Sequence, residues 1–261
     1  MDAGPARGLV GLIGGGIVGR AVADRLVAGE IPELGLGAVL VRDGQPASGY
    51  RHAGTIDELF GSAVVVEAAS HDAVRAYGEQ TLAAGVTFVC LSVGALADRA
   101  LRERLIAAGA AGGARLVIPS GAVGGLDLLR SAAEAGLDSV VVEQRKPPAA
   151  LLPAGEAAAL EGPRTVFEGN VEEVVELFPK TTNVAAAVAM AGLGFERTLC
   201  RVIADPAISA NQVTITARGE FGEFTLELRN VATADPRTSA VVASSVMATL
   251  RRLAGSMTIP G

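Results

Sequence analysis

Residues 8–26, GLVGLIGGGIVGRAVADRL, restrict the architecture of this chain more tightly than any other stretch. A short apolar run passes through Gly14, Gly16 and Gly19 and continues with helical spacing. That pattern predicts a strand, a tight turn and a helix. The first glycine permits a turn that a Cβ would block, and the second lets backbone approach a pyrophosphate. The third lets the helix lie close to its strand. Free N–H groups and the positive end of the helix dipole then face the phosphates. Gly14, Gly16, Ile17, Val18 and Gly19 are therefore candidate contacts of a dinucleotide. The stretch 37–43, GAVLVRD, reads as the second strand and ends where a ribose-recognising residue belongs, some 20 residues past the glycines. Asp43 there favours NAD through the ribose hydroxyls, and Arg42 favours the 2′-phosphate of NADP, so both cofactors stay open.

Further strands are expected at 63–69, 86–91 and 115–119, with helices from Ser70 to about Ala84 and from Leu96 to about Ala108. Near-continuous apolar strands alternating with helices mean a parallel sheet covered on both faces, with right-handed crossovers. Ligands then sit beyond the carboxyl ends of the strands, at Gly14, at Ala68, Ala69 and His71, and at Ser92 to Gly94.

The pattern changes at SGAVGG, 120–125. A helix to Ala135, a strand over 138–143, a Pro- and Ala-rich connection over 149–162 and a strand over 165–169 follow. Helices at 171–177 and 184–191 come next, then strands at 196–204, 212–218 and 223–230, with Gly222 as a hairpin turn. The stretch 237–253 is a helix whose Val241, Val242, Val246, Leu250 and Leu253 should pack back on the first domain. The fold class is α/β: a Rossmann-type parallel sheet in residues 1–119 plus 237–261, and a second α/β domain with a mixed sheet in 120–236, for substrate and dimerisation.

The 261 residues carry a net charge of −6 with no basic run, which argues against nucleic acid or an anionic membrane as partner. The longest apolar run, 184–195, is too short to span a bilayer, and the N-terminus shows no secretory pattern. Cys90 and Cys200 lie in apolar runs without metal-ligand spacing, so two buried thiols, no metal and a cytoplasmic setting are expected.

Several stretches carry a resemblance: SGAVGG at 120–125, RKPP at 145–148, FPK at 178–180 and NVAA at 183–186, with LSVGALAD at 91–98, ADP at 204–206 and PRTS at 236–239. In these the chain resembles the L-aspartate dehydrogenase family over essentially its whole length. The resemblance implies a Rossmann domain and an α/β domain, usually in a dimer. It also implies interconversion of L-aspartate with iminoaspartate, or with oxaloacetate plus ammonia, using NAD or NADP. Cofactor contacts would then include the fingerprint glycines, Ala122 and Asn183. One departure stands out. The family pattern after Ala-Asp-Pro is Asn-x-His-x-Ile with a catalytic histidine, and here Asn211 and Ile215 keep their places while Val213 replaces it. Asp235 also replaces an asparagine, and residues 181–182 read Thr-Thr where an asparagine is common at the first position.

Hydride transfer needs no protein acid, because the nicotinamide carries that chemistry. Water attack on the imine and loss of ammonia do need proton transfer near neutral pH, which a histidine performs and a valine cannot. Weak or absent oxidative deamination of aspartate is therefore expected. Lys146 and Lys180 are the only lysines. Lys180 is a candidate for a substrate carboxylate or for tuning a proton transfer, against a solvated loop. His71 is a candidate near the nicotinamide, against a helix cap. Lys146 offers a charge-assisted bond to a carboxylate, against a strand-end surface charge. Ser120 and Gly121 offer hydroxyl and N–H donors, and Asn211 a side-chain amide, to a small amino- or imino-acid substrate. Glu67 reads as structural and His52 as exposed. Two readings stay open: an NAD(P)-dependent oxidoreductase acting on a C–N bond, or a cofactor-binding relative that has lost catalysis and serves as a sensor or partner subunit.

Overall fold

The computed structural model describes residues 8–41, 49–179, 182–231 and 239–256. Two compact units divide the chain at Pro119/Ser120, and the chain returns to the first unit at Ala243.

The first unit runs β1 (Gly8–Ile13), α1 (Ile17–Val27), β2 (Leu34–Leu40), β3 (His52–Ala53), β4 (Val64–Glu67), α2 (His71–Ala83), β5 (Thr87–Cys90), α3 (Arg99–Gly112) and β6 (Leu116–Val117). Its sheet has the order β3-β2-β1-β4-β5-β6, with every pairing parallel. This is the doubly wound order whose crevice lies at the carboxyl ends of β1 and β4. Val10, Leu12, Val64, Val66 and Val89 join Val22 and Leu26 of α1 in one buried cluster. That explains the unbroken apolar runs, since both faces of these strands are covered.

Three expectations change here. The second strand begins at Leu34 and ends at Leu40, three residues earlier than its pattern suggested. His52, read as a residue of a polar stretch, is exposed as expected but sits in β3, paired in parallel with Val39. The helix expected from Leu96 is two pieces, a 3-10 turn over Val93–Ala97 and then α3. Asp98 makes the break by accepting the N–H of Leu101 at 3.0 Å, which fixes the helix start after it.

The second unit runs α4 (Leu126–Ala135), β7 (Leu137–Lys146), α5 (Ala154–Ala158), β8 (Arg164–Asn170), α6 (Val171–Leu177), α7 (Asn183–Ala191), β9 (Leu199–Ala204), β10 (Gln212–Gly219) and β11 (Gly222–Arg229). The sheet order is β11-β10-β7-β9-β8, mixed because β7 and β9 are parallel and the other pairs antiparallel. Gly219 pairs with Gly222, so Glu220 and Phe221 form the two-residue hairpin loop. Burial alternates along β7 and β10. Val140, Val142, Gln144 and Lys146 point to the covered face with Val213, Ile215 and Ala217. On this face α4 packs against β7 and β10, with α7 against α4. The opposite face carries ion pairs, Arg201 with Glu168 at 2.8 Å and Arg145 with Glu143 at 2.9 Å and Asp205 at 3.1 Å.

The chain ends its described part in α8 (Val241–Ala254). Val246 and Leu250 enter the buried cluster of the first unit and Leu253 packs against it, as the apolar spacing predicted. The unforeseen Met247 lies beside them, whereas Val241 at the helix start is exposed. Arg25 donates to Ser244 Oγ at 3.2 Å, and Arg251 pairs with Glu30 at 3.6 Å.

Candidate active site

The first unit presents a phosphate cradle built as the glycine spacing requires. Gly14 has φ +107°, and a Cβ there would stand 2.6 Å from the carbonyl oxygen of Ala68. A Cβ on Gly19 would stand 2.1 Å from the carbonyl oxygen of Gly14, so α1 can lie against the turn only because Gly19 has none. A Cβ on Gly16 would meet nothing within 4 Å. Gly16 is the N-cap of α1, no side chain caps it, and the first turn holds no acid. Open space beside Gly16 thus meets the positive end of a helix whose first-turn N–H groups lack intrahelical partners, which fits a pyrophosphate.

Beside the cradle, Glu67 ends β4 fully buried. Its Oε1 accepts the N–H of Ala69 at 2.7 Å, the N–H of Ser70 at 2.8 Å and the hydroxyl of Ser92 at 2.9 Å. Its Oε2 accepts the N–H of Ser92 at 3.0 Å. Burial pushes the carboxyl above its usual range, while the bonds from Ala69, Ser92 and Ser70 pull the other way. One side chain thus ties the loop after β4 to the loop after β5. Ala68 and Ala69 follow the end of β4 and Ser92 the end of β5, and the Ser92 hydroxyl and N–H both serve Glu67. Ser70 caps α2 through the N–H of Ala73, and His71 is the first residue of that helix, half-buried.

In the second unit, residues converge at the end of the sheet where β7 and β11 finish and β10 begins. Val213 pairs with Gln144 on one side and Leu228 on the other. All of Val213 but 4% is buried. Gln212 pairs with Arg145, so Asn211 falls level with Lys146, and its backbone carbonyl accepts the N–H of Asn230 at 3.0 Å. Asn230 Nδ2 reaches the carbonyl of Ala122 at 3.5 Å. A methyl on Gly125 would stand 3.1 Å from Leu226 Cδ2. The 120–125 turn therefore packs against the β11 edge of this end of the sheet, at Leu226, Leu228 and Asn230.

Lys146 corrects an expectation. The strand expected to end at Glu143 continues to Lys146, and the lysine is 5% exposed rather than a surface charge. Burial lowers its ammonium to about 8, with the neighbouring Cys200 pulling the other way. Burial pushes the Cys200 thiol up to about 11, and Gln144 Nε2 lies 3.7 Å from its sulfur. Arg145 points to the opposite face, into the ion pairs described above. Asn183 opens α7, and the buried Thr182 before it donates to the carbonyl of Phe178 at 3.0 Å. Arg42, Asp43, Lys180 and Asp235 lie outside the described residues.

Gln144 and Asn230 went unnoticed in the sequence. The alternation Val140, Val142, Gln144, Lys146 carried the information for Gln144. Nothing local marks Asn230, whose partner is 108 residues away.

Two profiles match the chain: Homoserine dehydrogenase, NAD binding domain, over residues 14–119, and Aspartate dehydrogenase, C-terminal, over 127–253. An L-aspartate dehydrogenase of Methanosarcina mazei is 40% identical over 261 residues, covering 94% of this chain and 96% of that protein. The chain belongs to the L-aspartate dehydrogenase family. Within that family, L-aspartate dehydrogenase 2 of Bordetella pertussis is 46% identical over 202 residues, 75% of this chain and 76% of that protein. The crystal structure of aspartate dehydrogenase from Thermotoga maritima superposes with a TM-score of 0.80 at 30% identity, covering 97% of this chain and 99% of that one. A hyperthermophilic archaeal homoserine dehydrogenase in complex with NADPH shares the fold alone, at 13% identity and a TM-score of 0.59, covering 93% of this chain and 96% of that one. The resemblance read from the motifs is thus carried by the whole chain of an aspartate dehydrogenase relative.

Proposed function

We propose that the chain is an NAD(P)-dependent oxidoreductase of the aspartate dehydrogenase type, moving a hydride between nicotinamide and the C–N carbon of L-aspartate or a closely related amino or imino acid. The observation that carries this reading is the end-to-end likeness to L-aspartate dehydrogenases. The open N-terminus of α1 supports it. On this reading Gly14, Gly16 and the N–H groups of Ile17, Val18 and Gly19 hold the pyrophosphate. Arg42 and Asp43 select between NADP and NAD. The bound nicotinamide supplies or takes the hydride. Ser120, Gly121, Asn211, Lys146 and Lys180 hold the substrate, with Ala122 and Asn183 toward the cofactor and His71 near its nicotinamide end. A charge-assisted bond from Lys180 suits a substrate carboxylate. The reading takes the protein as a cytoplasmic homodimer joined through the second sheet. No helix among the described residues is long and apolar enough to cross a membrane.

Val213 favours a second reading, a cofactor-binding relative without turnover. Fluorescence titration with NADH and NADPH, followed by assays of aspartate oxidation and of oxaloacetate plus ammonia, separates the two. Saturable binding with turnover is expected. Binding without turnover on any amine or 2-oxo acid establishes the second reading, and no binding of either nucleotide overturns both.

A further inference from the structure

Imine hydrolysis requires a group that takes a proton from water and returns one to nitrogen. On the covered face of the second sheet Val213 holds the place that the family pattern gives to a histidine, and valine has no proton to exchange. The same face, two residues along β7 from the Gln144 that pairs with Val213, carries Lys146. Alternation puts Lys146, Gln144 and Val213 on one side of the sheet. Asn211 and the Ala122–Asn230 bond fix the turn to the same end.

We propose that Lys146 is the acid–base catalyst of the amine–carbonyl step, in place of an imidazole at position 213. This rests on the function proposed above. The neutral amine takes a proton from water as the water oxygen bonds to the iminium carbon and the C=N π pair moves to nitrogen. The resulting ammonium returns that proton to the carbinolamine nitrogen. The C–N bond then breaks with its electron pair leaving on ammonia, the hydroxyl oxygen forms the carbonyl, and its proton passes to the departing ammonia. Water and iminium give ketone and ammonium ion, and the lysine ends as it began.

The surroundings suit the task. On β9, Ala204 pairs with Lys146 and Cys200 shares its face, and burial keeps the Cys200 thiol protonated, with a pKa of about 11. The covered face of β10 carries no ionisable side chain, and α7 has none. On α4, Asp127, Arg130 and Glu134 are exposed to solvent. Asp205, just past β9, is held by Arg145 and by the N–H of Ala207 at 2.9 Å. Lys146 at about 8 has a substantial neutral fraction at mildly alkaline pH, where an ordinary lysine has almost none.

The test uses the full chain, unaltered and as Lys146→Arg and Lys146→Ala, with aspartate oxidation followed against pH and NADH titration on each. In the unaltered chain kcat should rise with pH through an apparent pKa of about 8, because the deprotonated amine is the base. Both variants should lose kcat by about 100-fold or more while NADH affinity stays unchanged, and methylamine should partly restore Lys146→Ala. Arginine keeps the charge but not the exchangeable proton. Lys146→Arg with kcat intact, or Lys146→Ala that raises KM alone, overturns the proposal in favour of carboxylate anchoring. No turnover by the unaltered chain overturns the proposed function and this role together.

Discussion

Gly16 and Gly19 sit one helical turn apart, and a methyl group at each would have opposite consequences. At Gly16 the methyl meets nothing in the protein, whereas at Gly19 it meets the Gly14 carbonyl at 2.1 Å. Gly16→Ala should leave the melting temperature nearly unchanged and weaken NADH binding by about 10-fold or more, because the methyl occupies the space of the phosphates. Gly19→Ala should lower stability as well, since α1 must move off its strand. Thermal melts paired with NADH titration read both, and Gly16→Ala with full affinity would sink the assignment of the cradle. The three glycines were legible because each answers a local requirement of backbone geometry. Gln144 was not, because a buried polar residue in a strand becomes meaningful only when its partners across the sheet are known.

Between elements, Glu67 is the joint. One carboxylate closes the loops after β4 and β5 with four hydrogen bonds. Glu67→Gln turns one acceptor oxygen into a donor that faces N–H groups, which costs roughly 1–3 kcal/mol per unsatisfied buried group. A lower melting temperature and NADH affinity reduced by about 10-fold are the expected results, and an unchanged melt would show that the loops hold without the joint. Most elements are readable because an unbroken apolar run or a clear helical spacing marks them, as in β4, α2 and α6. The misreadings share a cause. β3 is too short to show a period, β7 runs on to Lys146 through charged and polar residues, and the break before α3 depends on one cap at Asp98.

For the molecule as a whole, the proposed dimer makes a simple claim: light scattering should return about twice the chain mass of 26.3 kDa, and a mass of one chain overturns it. The covered face of β7 and β10 is apolar apart from Gln144 and Lys146, while the other face of the sheet is set with ion pairs. The two-unit plan and the returning helix were both visible in the apolar spacing, whereas the substrate end of the second unit depends on contacts spanning about a hundred residues.

Because α8 supplies Val246, Met247 and Leu250 to a cluster begun at Val10, the first unit encloses the second along the chain. A ribosome releases residue 10 long before residue 250. The nucleotide-binding half, though made first, therefore completes its interior only after the other half has been synthesised, and newly made chains acquire their grip on cofactor last.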